Sequence, residues 1–341
     1  MQLEREKPQG TTRDILEGDE FMTGTLQNQK TFFAMGTVNT ITVFEEADEA
    51  LAAAKDRVKK LESKLSAASP DSEISVINKN AGVFPVTVSP ETFRLIKRAL
   101  TYSELTDGRF DLSAGPLTVL WNRALEDGIL PEFDEVIKAK NLVDYRDIIL
   151  DNEKRTVMLK NKGQMLDTGA VAKGYAADEV RKLLESYNVH DAMINIGGVI
   201  INTGTSREIG IQKPFAPEGH YFASLDLPEG KAVVSSRNYD HARMIDDHLV
   251  HRITDLRTGL PSKSGVVSVT LIGESAEELD AYATASMING AEQSIKILES
   301  RNIDAVFITD ERKVYVTENL EDEIKIKKGL PLLRKRYHLC R

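Results

Sequence analysis

The sequence predicts an α+β fold with mainly antiparallel sheet, and three observations carry that prediction. Short β-branched runs come in pairs joined by turns, as at Ile148–Leu159 around Asp151-Asn152 and at Ala305–Thr317 around Asp310-Glu311. Two further strand runs, Ala192–Thr203 and Ser206–Gln212, are separated by a tight turn. Helical periods stand between such groups without strict strand–helix alternation, which separates α+β from a parallel α/β sheet.

The elements follow in order. Phe32–Phe44 reads as a strand, β-branched and alternating from Thr40 onward. Asp48–Leu65 repeats apolar residues at helical spacing (Leu51, Ala54, Val58, Leu61, Leu65). A turn-rich loop, SAASPDSE, follows. Ser89-Pro90 opens a helix over Glu91–Thr106, stopped by Asp107-Gly108. Ala176–Tyr187 is helical by period, Val266–Ile272 is a buried strand, and Ala276–Asn289 is a helix. Residues 1–29 are polar and aperiodic and read as a flexible leader, and the Lys- and Arg-rich end, 321–341, reads as a solvated basic tail.

Composition bounds the function. The 341 residues suffice for two domains or one large one. With 41% hydrophobic and 28% charged residues the chain is neither disordered nor a coiled coil. A net charge of −9 disfavours broad binding to nucleic acid or anionic membrane. The single cysteine, Cys340, rules out an internal disulfide and a Cys-rich zinc site. No run approaches the ~20 apolar residues of a membrane span. The first residues lack both a secretory pattern and a cysteine for a lipid anchor, which reads as a cytoplasmic protein or an already trimmed form.

Four stretches place glycines and polar groups among apolar neighbours. In Asp167–Asp178 (DTGAVAKGYAAD) glycines permit close approach of a ligand, a helix start offers free N–H groups to an anion, and Lys173 adds positive charge; a plain strand-to-helix turn capped by Asp167 explains the same residues. In Gly273–Gly290, Asp280 and Thr284 share a helix face and could hold Mg²⁺, although an acid near a helix start also answers the dipole. Asp280 is expected near the surface. Phe110–Trp121 (FDLSAGPLTVLW) contains a turn of small residues able to lie under a flat ring, or simply to link packed segments. Ile194–Gly204 carries paired glycines, which mark a bulge or a close backbone approach. Of the six histidines, His241, His248 and His251 lie together and read as a polar hairpin surface, with His251 the one of interest because RITDLRTG follows it.

Taken in order, these stretches resemble the FAD:protein FMN transferases of the ApbE type, over about Phe33 to Thr317. Met35-Gly36-Thr37 resembles the opening MGT. Ser66–Asn78 resembles the S-x-x-x-x-x-S-E-x-x-x-x-N loop, and Phe110–Trp121 resembles F-D-x-[ST]-x-G-P-L-x-x-x-W. Asp167–Asp178 resembles D-x-G-x-x-A-K-G-Y-x-x-D, and Asn195–Gly198 resembles N-x-G-G. Asp255–Pro261 resembles D-P-x-T-G-x-P, and Asp280–Thr284 resembles D-A-x-A-T.

The resemblance implies one transferase domain over 30–320 with a central FAD cleft. It implies Mg²⁺ held by Asp280, Thr284 and the Ala170 carbonyl, and an FAD site formed by Met35, Ser113, Ala114, Gly115, Asp167, Lys173 and Thr254. Asp280, His251 and Arg252 fall at catalytic positions. The implied reaction moves FMN from FAD to a Thr or Ser hydroxyl of a partner flavoprotein and releases AMP. FAD hydrolysis to FMN and AMP, or FAD binding without turnover, are the other readings. This chain departs from the family pattern at four places: Val199 follows the paired glycines where Asp is usual, Arg237 and Asn238 replace Gly-Asp, and no aromatic residue stands near Ala67. Arg252 takes the place of the second His of a His-His pair, and an arginine stays protonated, so it cannot act as a general base. Family members are commonly exported and lipid-anchored.

Overall fold

Eight strands form one antiparallel sheet whose spatial order is Asn28–Ala34, Thr37–Val43, Ala192–Ile196, Val199–Asn202, Ala232–Arg237, Val266–Gly273, Asp304–Thr309 and Val314–Val316. The computed structural model describes residues 27–240 and 242–326. The expected leader up to residue 26, the basic tail beyond residue 326 with Cys340, and His241 lie outside the described residues.

The central strands alternate their side chains between two cores. Val234, Ala305 and Phe307 face one core, whereas Val233, Val306 and Ile308 face the other. The first core lies under α1 (Asp48–Leu65), α3 (Pro90–Leu105), α6 (Ala172–Ser186) and α7 (Ala276–Asn289). The second lies under a smaller sheet of Arg207–Gln212, Tyr221–Leu227 and Lys325–Ile326. Val266–Gly273 is therefore buried along its whole length, which is why its sequence is a continuous apolar run with no alternation. α1 presents Leu51, Ala54, Val58, Leu61 and Leu65 to the core, as the periodicity predicts. Among the described residues no helix is long and apolar enough to cross a membrane.

Three sequence expectations are corrected. Phe32–Phe44 is two strands with a turn at Met35-Gly36, whose φ values of 54° and 72° give the twist a two-residue hairpin needs. Buried Asn39 holds that turn by donating to the carbonyls of Ala34 (2.9 Å) and Thr37 (3.2 Å). Gly197-Gly198, expected to mark a bulge or a close backbone approach, is likewise a hairpin turn, with φ values of 59° and 89°, and Gly197 does lie close to its neighbours: a Cβ there would stand 2.6 Å from Thr37 Cγ2. The third helix of the first core, α6, begins at Ala172, four residues before the period predicts, because Ala172–Tyr175 lack the polar spacing that reveals an amphipathic face. Two helices went unread: α4 (Gly115–Asp127) and α5 (Phe133–Lys140). α4 begins in the small-residue turn of Phe110–Trp121, and its buried Leu117, Leu120, Trp121 and Ala124 form a separate small core with Val136 of α5. α2 (Glu73–Lys79), capped by Ser72, and α8 (Ala291–Glu299) complete the helices described.

The contact that places the functional groups is between α6 and α7. A Cβ on Gly174 would lie 2.2 Å from the Ala276 carbonyl oxygen, so only glycine lets the two backbones meet. Asp178, one turn further along α6, accepts from Ser275 Oγ (3.1 Å) and from the N–H groups of Ala276 (3.3 Å) and Glu277 (3.0 Å), capping α7 from outside. Gly174→Ala is expected to destabilise the protein by about 1–3 kcal/mol through overpacking. A chemical-denaturation midpoint unchanged from wild type would show that α6 and α7 can separate without cost.

Candidate active site

A cleft of two adjoining chambers opens where the N-terminal ends of α4 and α6, the middle of α7 and the segment Arg252–Leu256 converge. The chambers measure about 470 Å³ and about 490 Å³. Thr118, Asn122, Asp167, Gly169, Lys173 and Arg252 line both, so they mark the junction.

The floor is the loop before α6. Asn78 brackets Leu166, donating to its carbonyl (3.0 Å) and accepting its N–H (2.7 Å). The Asp167 N–H donates to the Leu112 carbonyl (2.9 Å), and Thr168 Oγ1 donates to the Leu65 carbonyl (2.8 Å). So fixed, Asp167 turns its carboxylate back to accept the Gly169 N–H at 2.8 Å. One wall is the start of α4. Ala114 forms a parallel bridge to Met165, and a Cβ on Gly115 would stand 2.6 Å from the Met165 carbonyl. Asp111 holds this turn together: it accepts from Ser113 N and Oγ (2.7 Å each) and from Tyr145 N (2.9 Å). Burial raises its pKa against those hydrogen bonds.

The opposite wall is α7. Asp280 is buried, at 7% exposure, and not near the surface as the sequence reading expected. It sits on the inner side of α7, against α6, where its Oδ2 accepts the Gly174 N–H at 3.0 Å. Burial raises its pKa, with the Lys173 ammonium and the Gly174 N–H acting in the opposite direction. Gly174 stands in the first turn of α6, whose N–H groups have no acceptor within the helix, and Asp280 supplies one from α7. Among the described residues no hydrogen bond reaches the Ala170 carbonyl, which lies just before the helix. Asp280, Thr284 and Ala170 all line the first chamber.

Among the described residues no three His, Cys, Asp or Glu side chains gather as a metal cage. A single carboxylate joined by a hydroxyl and a carbonyl suits a hard cation such as Mg²⁺, which keeps several waters and takes further oxygens from a substrate phosphate. The donors at Asp280, Thr284 and Ala170 are of that kind.

The structure brings together Ala114, Asp167, Ala170, Lys173, Arg252, Thr254, Asp280 and Thr284 on the first chamber, and Met35 and Gly115 on the second. The Met35 N–H donates to Glu62 of α1 at 2.5 Å. Thr254 is buried, and its hydroxyl has no hydrogen-bond partner among the described residues. Ser113 does not line either chamber: it is fully buried beneath them, bonded to Asp111.

His251 is also absent from both chambers. It is 2% exposed, not on a polar hairpin surface, and lines a separate apolar cavity of about 880 Å³ with Trp121, Phe133, Phe215 and Tyr239. Its Nε2 meets the Ser262 carbonyl at 3.2 Å. The two neighbours part at a bend at Arg252, between the short strands His248–Val250 and Thr254–Asp255.

Among the chamber residues not singled out from sequence are Arg109, Asp111, Asn122 and Asp240. Asp111 stands inside the quoted FDLSAGP run, Arg109 and Asn122 flank the Phe110–Trp121 stretch, and Asp240 follows Tyr239.

The ApbE family profile matches residues 35–307. The chain belongs to the ApbE family. It is 35% identical to the FAD:protein FMN transferase of Klebsiella pneumoniae (strain 342) over 272 residues, 79% of this chain and 85% of that protein. It is 30% identical to the FAD:protein FMN transferase of Treponema pallidum (strain Nichols) over 281 residues, 77% of each chain. Among solved structures it resembles the ApbE protein of Thermotoga maritima, with a TM-score of 0.81 and 27% identity, covering 87% of this chain and 99% of that one. Membership of the family accounts for the order of the motifs and for the α+β architecture read from sequence.

Burial holds the His251 pKa below its ordinary value, while the carbonyls of Ser262 and Ile253 pull it upward. The unfolded chain therefore gains a proton near pH 6.5 that the folded chain refuses, so this group costs stability as pH falls through that value. His251→Gln is expected to flatten the fall in melting temperature between about pH 7 and pH 5.5. An identical pH slope in the two proteins would show that His251 is free to protonate in the folded state.

Proposed function

We infer that this protein is an FAD:protein FMN transferase that works with Mg²⁺, moving FMN to a Thr or Ser hydroxyl of a partner flavoprotein and releasing AMP. The observation that carries this reading is the buried Asp280 carboxylate beside Lys173, on the first of two adjoining chambers large enough together for the two halves of a dinucleotide. Family membership and the names of the relatives support it.

In this reading Asp280, Thr284 and the Ala170 carbonyl hold Mg²⁺, and Ala114, Gly115, Met35, Asp167 and Thr254 shape the walls around FAD. Bound Mg²⁺ would neutralise charge on the pyrophosphate. The acceptor hydroxyl oxygen forms a bond to the FMN phosphorus, and the bond from that phosphorus to the oxygen bridging to AMP breaks. The electron pair stays on the AMP phosphate, and the hydroxyl proton leaves to solvent. Lys173 holds its ammonium at the junction of the chambers, where it opposes the negative charge of the substrate and of the departing AMP. Asp167 is held by the Gly169 N–H and the Leu112 carbonyl, so it offers a fixed carboxylate and a fixed backbone beside Lys173. The narrow contact at Gly115 brings the α4 N-terminus against the loop of Met165, which sets the width of the second chamber.

The test is to incubate the protein with FAD, with and without Mg²⁺ and with and without a flavoprotein domain carrying a candidate acceptor Thr. AMP together with a covalently fluorescent acceptor, both requiring Mg²⁺, is the expected result. AMP and FMN without acceptor would instead identify a hydrolase, and bound FAD without AMP a flavin binder. Asp280→Asn keeps the shape of a buried side chain and is expected to lower Mg²⁺-dependent AMP release by about a hundredfold or more, with an unaltered circular dichroism spectrum. Undiminished turnover in that variant would remove Asp280 from the metal site.

A further inference from the structure

We propose that Arg252 binds the diphosphate of the flavin dinucleotide at the junction of the two chambers, so that a fixed positive charge occupies the position at which the family resemblance places a histidine. The proposal rests on the reading of the cleft as an FAD site.

Three observations carry it. The first is position. Arg252 lines both chambers, as does Lys173, and these are the cationic side chains common to the two among the described residues. A dinucleotide laid across two chambers puts its diphosphate where they join, and its two ring systems on either side.

The second is availability. The other guanidinium groups of the first chamber are already engaged: Arg109 donates to Asn289 at 3.1 Å and pairs with Asp107, and Arg237 pairs with Asp240 at 2.9 Å. Arg252 is exposed, and among the described residues it makes no hydrogen bond or ion pair. Lys173 Nζ reaches only the Gly169 carbonyl, at 3.3 Å. Two cations lining one junction, neither of them in a salt bridge among the described residues, suit an anionic ligand even with the Asp167 carboxylate beside them. A guanidinium fits two phosphate oxygens at once, whereas an ammonium acts as a point charge.

The third is fixation. Both neighbours of Arg252 are tied to Ser262, His251 through its side chain and Ile253 through its carbonyl. The Ser262 N–H donates to the Ile253 carbonyl at 2.8 Å, His251 Nε2 meets the Ser262 carbonyl at 3.2 Å, and Thr254–Asp255 pairs with Leu260–Pro261. With His251 drawn into the apolar cavity on one side, the side chain of Arg252 is directed to the other. His251 is thereby a positioning residue for Arg252 and has no contact with the cleft.

The test is equilibrium binding of FAD, ADP and riboflavin to the wild-type chain, Arg252→Gln and Arg252→Lys, in EDTA so that no metal contributes. Arg252→Gln is expected to weaken FAD and ADP about 10- to 100-fold and to leave riboflavin unchanged. It is also expected to make FAD binding less sensitive to salt, because one charge contact is gone. Arg252→Lys is expected to restore part of the lost affinity. Equal binding of FAD and ADP by wild type and Arg252→Gln would overturn the proposal while leaving the FAD site standing. Equal weakening of all three ligands would overturn it too, since that pattern reports a damaged pocket. Failure of wild type to bind FAD both in EDTA and with Mg²⁺ added would refute the cleft reading, and this proposal with it.

Discussion

The site depends on one backbone contact, the approach of Gly174 on α6 to Ala276 and Glu277 on α7. Apart from Arg252, every group assigned to the cation and the phosphates hangs from these two helices or from the loop that enters α6. Because the first turn of α6 lies directly against α7, its Gly174 N–H, which has no acceptor within the helix, reaches Asp280. That bond gives a buried carboxylate a fixed donor. Asp178 then fixes the start of α7 by accepting from Ser275, Ala276 and Glu277. Side-chain packing around the contact, with Tyr175, Ala176, Ala281 and Ala283 fully or nearly fully buried, resists its opening.

Electrostatics in the cleft run against the charge of the whole molecule. The chain is acidic, with a net charge of −9, yet the junction of the chambers presents Lys173 and Arg252. The acids beside them have donors inside the fold: Asp111 has three, Asp240 has Arg237, and Asp167 and Asp280 each have one backbone N–H, from Gly169 and Gly174. Local pairing, not net charge, decides what such a cleft accepts, because bonds made inside the fold take most acids out of competition for the two cations. An acidic exterior with a cationic junction also disfavours extended polyanions while leaving room for a small phosphate-bearing ligand.

Much of the architecture was legible. α1 and α7 match their predicted bounds because each has a start signal and, for α1, a clean amphipathic period. The hairpins at Ile148–Leu159 and Asp304–Val316 were legible from their turn residues. The hairpins at Met35-Gly36 and Gly197-Gly198 were missed because their strands are apolar on both sides of the turn, so the run reads as unbroken. α4 was missed because Gly115 and Pro116 at its start carry a turn signature, which fits a first helical turn equally well.

The sequence by itself determined the family, the α+β class and the residue types at the cleft, since motifs in a fixed order need no coordinates to be read. Only the tertiary structure decided which of those residues meet. It placed Arg252 in the cleft and His251 in a different cavity, although they are neighbours, because the chain bends at Arg252 and the His251 ring is tied to the Ser262 carbonyl. It also buried Asp280, since the side of α7 that meets α6 is chosen by the glycine on the other helix and not by any period within α7 itself.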